Sequence, residues 1–322
     1  MFQLYKKRSF GDLISDTFSF LKITGKHFFK NYFTVIGIFL LVLLVLSYFV
    51  FKVYFEYAFS SLGTTFGDDP MQRVFGNNVG MIILVFALFF ILFIFISLLN
   101  YSFPVSYFRL YEKHKQTTNF SSQDIINEMK STSGKLIVFF LMTILILLGI
   151  IIVLGIIMGV SATINPILMV LIVFPFIFIG VPFLYIWITQ TLYYQLNTDE
   201  GIMTALGKGW TSFMNNFWSN LGSTITVYVI ITILGYVVTM IPYVFGIAGV
   251  FGAGVSDNPL VDNSALPFFG IMMTITTLVS MLTSFITYNL LFINQGMIYY
   301  SSVEQTENRA PQSEIDLIGV EE

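Results

Sequence analysis

The chain has 322 residues, of which 56% are hydrophobic and 10% are charged, and its formal net charge is −3. Soluble domains carry about a quarter charged residues, so this composition excludes an ordinary soluble domain. The sequence contains no cysteine, which excludes disulfide bonds, thiolate metal sites and thiol catalysis.

Long charge-free runs predict helices that cross a membrane. Residues 136–198 contain no Asp, Glu, Lys or Arg, and a hydrocarbon core about 30 Å thick is crossed by roughly 20 apolar helical residues. This run therefore accommodates two spans, with a tight turn predicted at Asn165 and Pro166. We predict an all-α, polytopic integral membrane protein with six transmembrane helices in three hairpins. The predicted spans are residues 33–55, 79–107, 136–160, 166–194, 221–245 and 267–300.

Each predicted hairpin follows a segment with the features of an amphipathic helix. Ser9 and Asp12 have the spacing of a capping box before the first hairpin, and Ser121 and Asp124 repeat it before the second. We expect three cytoplasmic amphipathic helices at the membrane interface, one per hairpin, within a single transmembrane domain of residues 1–303. The three units cover about residues 9–108, 121–196 and 198–300.

The distribution of Lys and Arg predicts the orientation of the chain. Most of the 15 basic residues lie before the first span or between the second and third spans, and basic residues favour the cytoplasmic side. Both termini are therefore expected in the cytoplasm, with the chain in the bacterial cytoplasmic (inner) membrane. The first apolar run is longer than that of a cleaved signal and is expected to be an uncleaved anchor. The acidic residues 304–322 are expected to form a disordered cytoplasmic tail.

Polar side chains inside the predicted spans are the candidate functional positions. Asn100 lies in span two, Gln190 in span four and Asn289 in span six, where Asn294 and Gln295 follow it. Asn and Gln can hydrogen-bond between helices and hold a bundle together, or they can line a cavity for a polar substrate. We favour the first role.

Two prolines interrupt span four. Pro175 and Pro182 lie about two helical turns apart, on either side of Gly180. Interrupted helices frame binding sites in many transporters, whereas Pro is also tolerated in membrane helices as a kink. Kinked packing is the favoured interpretation, and span four is where a cavity is expected if the chain has one.

Two segments and the three hairpins carry a resemblance to known proteins. Residues 9–20 form an amphipathic start, and the small and aromatic residues of 201–210 lead into Asn215, Asn216, Phe217 and Trp218. These features resemble bacterial inner-membrane families related to the membrane domain of glycerophosphoryl diester phosphodiesterases. The resemblance implies an α-helical membrane domain. The phosphodiesterase activity does not carry over, because in the fusion proteins of these families it belongs to a separate soluble barrel, and no segment outside the predicted spans is long enough to form one.

The spans contain no charged residue in their cores and no group of residues with a catalytic pattern. Charged residues at membrane depth are the usual mark of a proton or ion path. We therefore predict no catalytic, cofactor-binding or metal-binding residues, no enzyme activity and no nucleic-acid partner. The leading hypothesis is a non-enzymatic membrane protein that supports membrane or envelope lipid homeostasis or scaffolds an unknown protein partner. Membrane lipids are its expected partners, and the alternative is a permease-like protein for an uncharged or lipidic substrate.

Overall fold

The computed structural model describes residues 2–63, 78–253 and 265–309, and within these residues the regular structure is entirely helical. In chain order the elements are α1 (Phe10–Gly63), α2 (Val79–Lys113), α3 (Ser122–Ile164), α4 (Pro166–Pro175), a π-helical turn (Phe176–Gly180), α5 (Val181–Asn197), α6 (Ile202–Asn215), α7 (Phe217–Ala253) and α8 (Ala265–Glu307).

Six helical segments are long and apolar enough to cross a membrane. They are Phe10–Phe55, Val79–Lys113, Ser122–Ile164, Ile167–Asn197, Phe217–Ala248 and Gly270–Glu307. Four of them contain a predicted span completely, and the other two begin one and three residues after the predicted start. The predicted all-α, multi-pass membrane protein is therefore confirmed. The predicted turn between spans three and four is also present, since the Asn165 side chain accepts a hydrogen bond of 2.9 Å from the Ile167 amide at the start of α4.

The amphipathic segments before spans one and three are not separate helices. Residues 10–63 form the single helix α1, and α3 likewise runs without a break from its capping box at Ser121 and Asp124. No proline separates either amphipathic segment from the span that follows it, so nothing in the backbone interrupts the helix. Among the described residues, only the third predicted segment, α6, is a helix separate from its span, because the chain leaves helical geometry at Asn216 (φ −133°, ψ 50°). The expectation of three separate helices before the spans is therefore corrected.

Helix α6 buries one side and exposes the other. Ala205, Gly209 and Phe213 are buried, whereas Met203 and Trp210 are exposed. The exposed side thus carries apolar residues, and its location at the membrane interface remains a prediction.

The chain divides into two compact units. The first comprises Met1–Asn31, Tyr101–Tyr228 and Leu290–Glu322, and the second comprises Tyr32–Asn100 and Val229–Asn289. An aromatic core holds the first unit, where the ring of Phe20 stacks on Phe108 with centroids 4.8 Å apart and meets Tyr111 edge-on. In the second unit Phe39 of α1 meets Phe95 of α2 edge-on at 5.2 Å.

Helix α8 extends into the segment predicted to be a tail. The helix continues through Glu307, and Val303 and Glu304 are buried. It ends at Asn308, which has a left-handed backbone (φ 47°) and donates its amide to the Glu304 carbonyl. The predicted tail boundary at residue 304 therefore moves past Glu307, and residues 310–322 lie outside the described residues.

Candidate functional site

Gln190 lies at the centre of a buried hydrogen-bonded cluster in the first unit. Its side-chain amide donates to the Gln295 backbone carbonyl at 2.9 Å and to the Gln295 side-chain oxygen at 3.2 Å. Its own side-chain oxygen accepts from the Ser212 hydroxyl at 3.3 Å. Gln190 and Gln295 are both fully buried, so the polar groups of three helices, α5, α6 and α8, satisfy one another away from solvent.

The cluster continues through α7 and α1. Gln295 donates to the Thr224 hydroxyl at 2.8 Å, and Thr224 in turn donates to the Asn220 carbonyl. The adjacent Asn294 donates to the Thr17 hydroxyl at 3.2 Å. We call this cluster the amide network, and it comprises Thr17, Gln190, Ser212, Asn220, Thr224, Asn294 and Gln295.

The amide network joins five helices. Asn220 at the start of α7 donates to the backbone carbonyls of Ser212 and Phe213 in α6, at 3.2 Å and 3.1 Å. These bonds fix the turn between α6 and α7. Hydrogen bonds between membrane helices contribute about 0.6 kcal/mol each on average and up to about 1.7, so the network as a whole stabilises the packing of α1, α5, α6, α7 and α8.

Asn100 and Asn289 meet in a smaller polar cluster in the second unit. The Tyr32 hydroxyl lies 2.9 Å from the Asn100 side-chain oxygen and 3.1 Å from the Phe285 carbonyl. Asn289 lies beside Tyr32 and donates to the same Phe285 carbonyl at 2.9 Å. The Asn289 side-chain oxygen is buried without a hydrogen-bond partner among the described residues. This group of Tyr32, Asn100 and Asn289, the Tyr32 cluster, links α1, α2 and α8.

The prolines of span four flank the π-helical turn. Pro175 lacks an N–H group and cannot continue the regular pattern of helical hydrogen bonds, and the amide of Val181 bonds to the Phe176 carbonyl, five residues earlier. Side chains of this region are exposed, with Phe174 at 62% and Phe178 at 58%. Pro175 and Pro182 therefore shape an exposed stretch of span four, about four and two helical turns before Gln190.

Charged groups pair outside the predicted spans 79–107 and 136–160. The Glu128 carboxylate of α3 forms ion pairs with two residues of α2, Arg109 (Nε at 2.9 Å) and Lys113 (Nζ at 2.8 Å). At the N-terminus the Tyr5 hydroxyl donates to Glu112 at 2.7 Å. Burial, together with this hydrogen bond, raises the pKa of the Tyr5 hydroxyl well above its usual value. Tyr5 thus stays neutral, and its hydrogen bond to Glu112 attaches the N-terminal segment to the C-terminal end of α2.

An apolar cleft lies between α7 and α8 in the second unit. Its volume is about 470 Å³. The lining residues are Val238, Ile241, Pro242, Phe245, Met272 and Val279. Across the described residues, no three His, Asp or Glu side chains are grouped closely enough to hold a metal ion.

The amide side chains were predicted from the sequence, but most of their hydrogen-bond partners were not. Ser212, Asn220, Thr224 and Tyr32 were not among the predicted positions. Asn220 and Thr224 did offer a signal, since two polar residues spaced by four fall on one face of a helix. Tyr32 offered none, because it directly precedes a predicted span and has the position of an ordinary interfacial aromatic residue.

No protein-family model, curated protein or solved structure matches this chain.

Proposed function

We propose that the chain is a non-enzymatic structural protein of the bacterial cytoplasmic membrane that supports the organisation of membrane lipids, with both termini in the cytoplasm. The observation that carries this proposal is the amide network. The side chains of Gln190, Asn294 and Gln295 form hydrogen bonds with partners in neighbouring helices. This is the pattern expected of polar residues that hold a helix bundle together.

The exposed surface of the hairpin formed by α3, α4 and α5 supports a role in lipid contact. In span four, no residue of the most apolar window is buried, and large side chains such as Ile151, Leu171 and Phe174 are more than half exposed. At membrane depth such side chains face hydrocarbon. The resemblance of residues 9–20 and 201–218 to the membrane domains named above belongs to the same proposal.

Mass spectrometry of the full chain, extracted with its surrounding membrane and without detergent, tests this function. We expect enriched phospholipid species and no protein at a fixed stoichiometry. A stoichiometric protein partner would contradict the lipid role and favour the scaffold role instead.

A second candidate function is that of a permease-like protein for an uncharged or lipidic substrate. The π-helical turn between Pro175 and Pro182 favours it, because π-helical turns within α-helices are frequent at functional sites. The test is the transfer of a fluorescent phospholipid across the bilayer of proteoliposomes. A saturable transfer that Gln190→Leu abolishes at unchanged thermal stability would favour the permease; transfer equal to that of empty liposomes would reject it for this lipid.

A further inference from the structure

The cleft between α7 and α8 is lined only by apolar side chains. Val238, Ile241, Pro242 and Phe245 form one wall, and Met272 and Val279 form the other. None of these side chains can donate a hydrogen bond or carry a charge. A polar headgroup would lose its hydrogen bonds to water in this cleft without replacement, so the cleft is suited to a hydrocarbon.

Two residues of α7 explain why a cleft exists here. Pro242 has no N–H group for the Val238 carbonyl one turn earlier, which weakens the helix at that point and favours a bend. One turn later, Gly246 lies against α8, where a Cβ atom would be only 3.0 Å from the Met272 Cβ. The helices thus touch at Gly246, and the space beside Val238 and Ile241 is left open.

The position of the cleft identifies its surroundings. Its walls belong to the apolar segments Phe217–Ala248 and Gly270–Glu307, both of which are long enough to cross a membrane. At that depth the surrounding medium is lipid hydrocarbon and not water. A chain seated in the cleft contacts two helices at once, and each additional pair of atoms in contact adds dispersion attraction.

The shape of the cleft favours an extended chain. The lining residues are spread over about two turns of each helix, a length of about 10 Å. The cleft is an open groove of about 470 Å³, since Ile241 and Phe245 in its lining are 62% and 65% exposed.

We infer that this cleft binds an acyl chain of a membrane phospholipid, whose headgroup stays outside the cleft. The inference rests on the proposed role in lipid organisation and assigns it a site. The bound chain fills the space between α7 and α8 that the side chains leave open.

Neighbouring valines of α7 provide a matched test. Val238 lines the cleft, whereas Val237 is 62% exposed and does not. In Val238→Trp the indole occupies the cleft, and in Val237→Trp the same change is made outside it. Val279→Trp fills the cleft from α8 and guards against a fault peculiar to α7. The full chain is purified in detergent, its thermal unfolding is recorded, and its retained phospholipid is counted by native mass spectrometry.

We expect the wild type and Val237→Trp to retain one phospholipid per chain, and both cleft variants to retain it at least tenfold less often. Equal retention by all four proteins would overturn the cleft assignment while leaving a lipid role in place. Retention of an isoprenoid in place of a phospholipid would also overturn it. A wild type that retains no phospholipid in detergent would overturn the cleft assignment, and one that also enriches none in native membrane would overturn the proposed function as well.

Discussion

The two halves of span four differ in burial and in composition. Residues 167–181 contain only apolar side chains, yet Val170, Leu171 and Phe174 are each more than 60% exposed. The other half carries polar and aromatic groups, and its residues 189–196, which include Gln190 and Tyr193, are all buried. Within a membrane, hydrophobicity does not distinguish protein from lipid, so small and polar residues decide which surfaces pack together.

Close backbone contact is the first feature that separates the two halves. In the buried half, α6 approaches α5 at Gly209, where a Cβ atom would lie 2.6 Å from the Thr191 hydroxyl oxygen and 2.7 Å from its backbone nitrogen. In the exposed half, a Cβ on Gly180 would also meet an atom at 2.6 Å, but that atom belongs to the ring of Phe176. The two shortest distances are equal, but the Phe176 ring can rotate away, whereas the Thr191 backbone is held in α5.

The largest expected effect is that of Gly209→Ala. The added methyl group collides with the backbone of α5, which cannot move without separating the two helices. We expect a loss of about 1–3 kcal/mol in the free energy of unfolding, measured by thermal or denaturant unfolding in detergent. Gly207→Ala is the control on the same helix, since a Cβ there would have no neighbour within 4 Å. Equal stability of the two variants would refute the close contact of α5 and α6.

The cross-helix hydrogen bonds of the buried half are tested by Thr224→Val. This change removes the acceptor of the Gln295 amide at 2.8 Å and keeps the shape of the side chain. We expect a loss of about 0.6–1.7 kcal/mol. The control is Thr226→Val on the same helix, because the Thr226 hydroxyl donates to the Gly222 carbonyl of its own helix. A larger effect at Thr226 than at Thr224 would show that the network does not hold the helices together.

The smallest effect is expected for Gly180→Ala. The ring of Phe176 borders lipid-exposed side chains and can rotate away from a new methyl group, and Ala is favoured over Gly in a helix by roughly 0.5–1 kcal/mol. The unfolding free energy should therefore change by less than about 1 kcal/mol. A loss as large as that of Gly209→Ala would mean that residues 167–181 are as tightly constrained as the buried half.

The sequence was sufficient to predict the six spans, the turn at Asn165 and the capping box at Ser121, because each depends on local composition or on residues a few positions apart. It also indicated the role of Gln190 as a residue that links helices. The partners of Gln190 were beyond reach, since Ser212 and Gln295 are brought to it by packing between distant segments. The continuity of α1 was not predicted from the sequence for a related reason. Helical periodicity shows where an amphipathic segment gives way to an apolar one, but not whether the helix ends between them.

Gln190 provides the most direct test of the central claim, that the buried amides hold the bundle together. Leu is of comparable bulk and cannot form the hydrogen bonds to Ser212 or Gln295. The measurement is the thermal unfolding of Gln190→Leu in native membrane patches, together with the co-purifying lipids of the same sample. The account predicts a lower unfolding temperature with an unchanged lipid profile. An unchanged unfolding temperature, with loss of one co-purifying molecule, would contradict it and identify Gln190 as part of a ligand site.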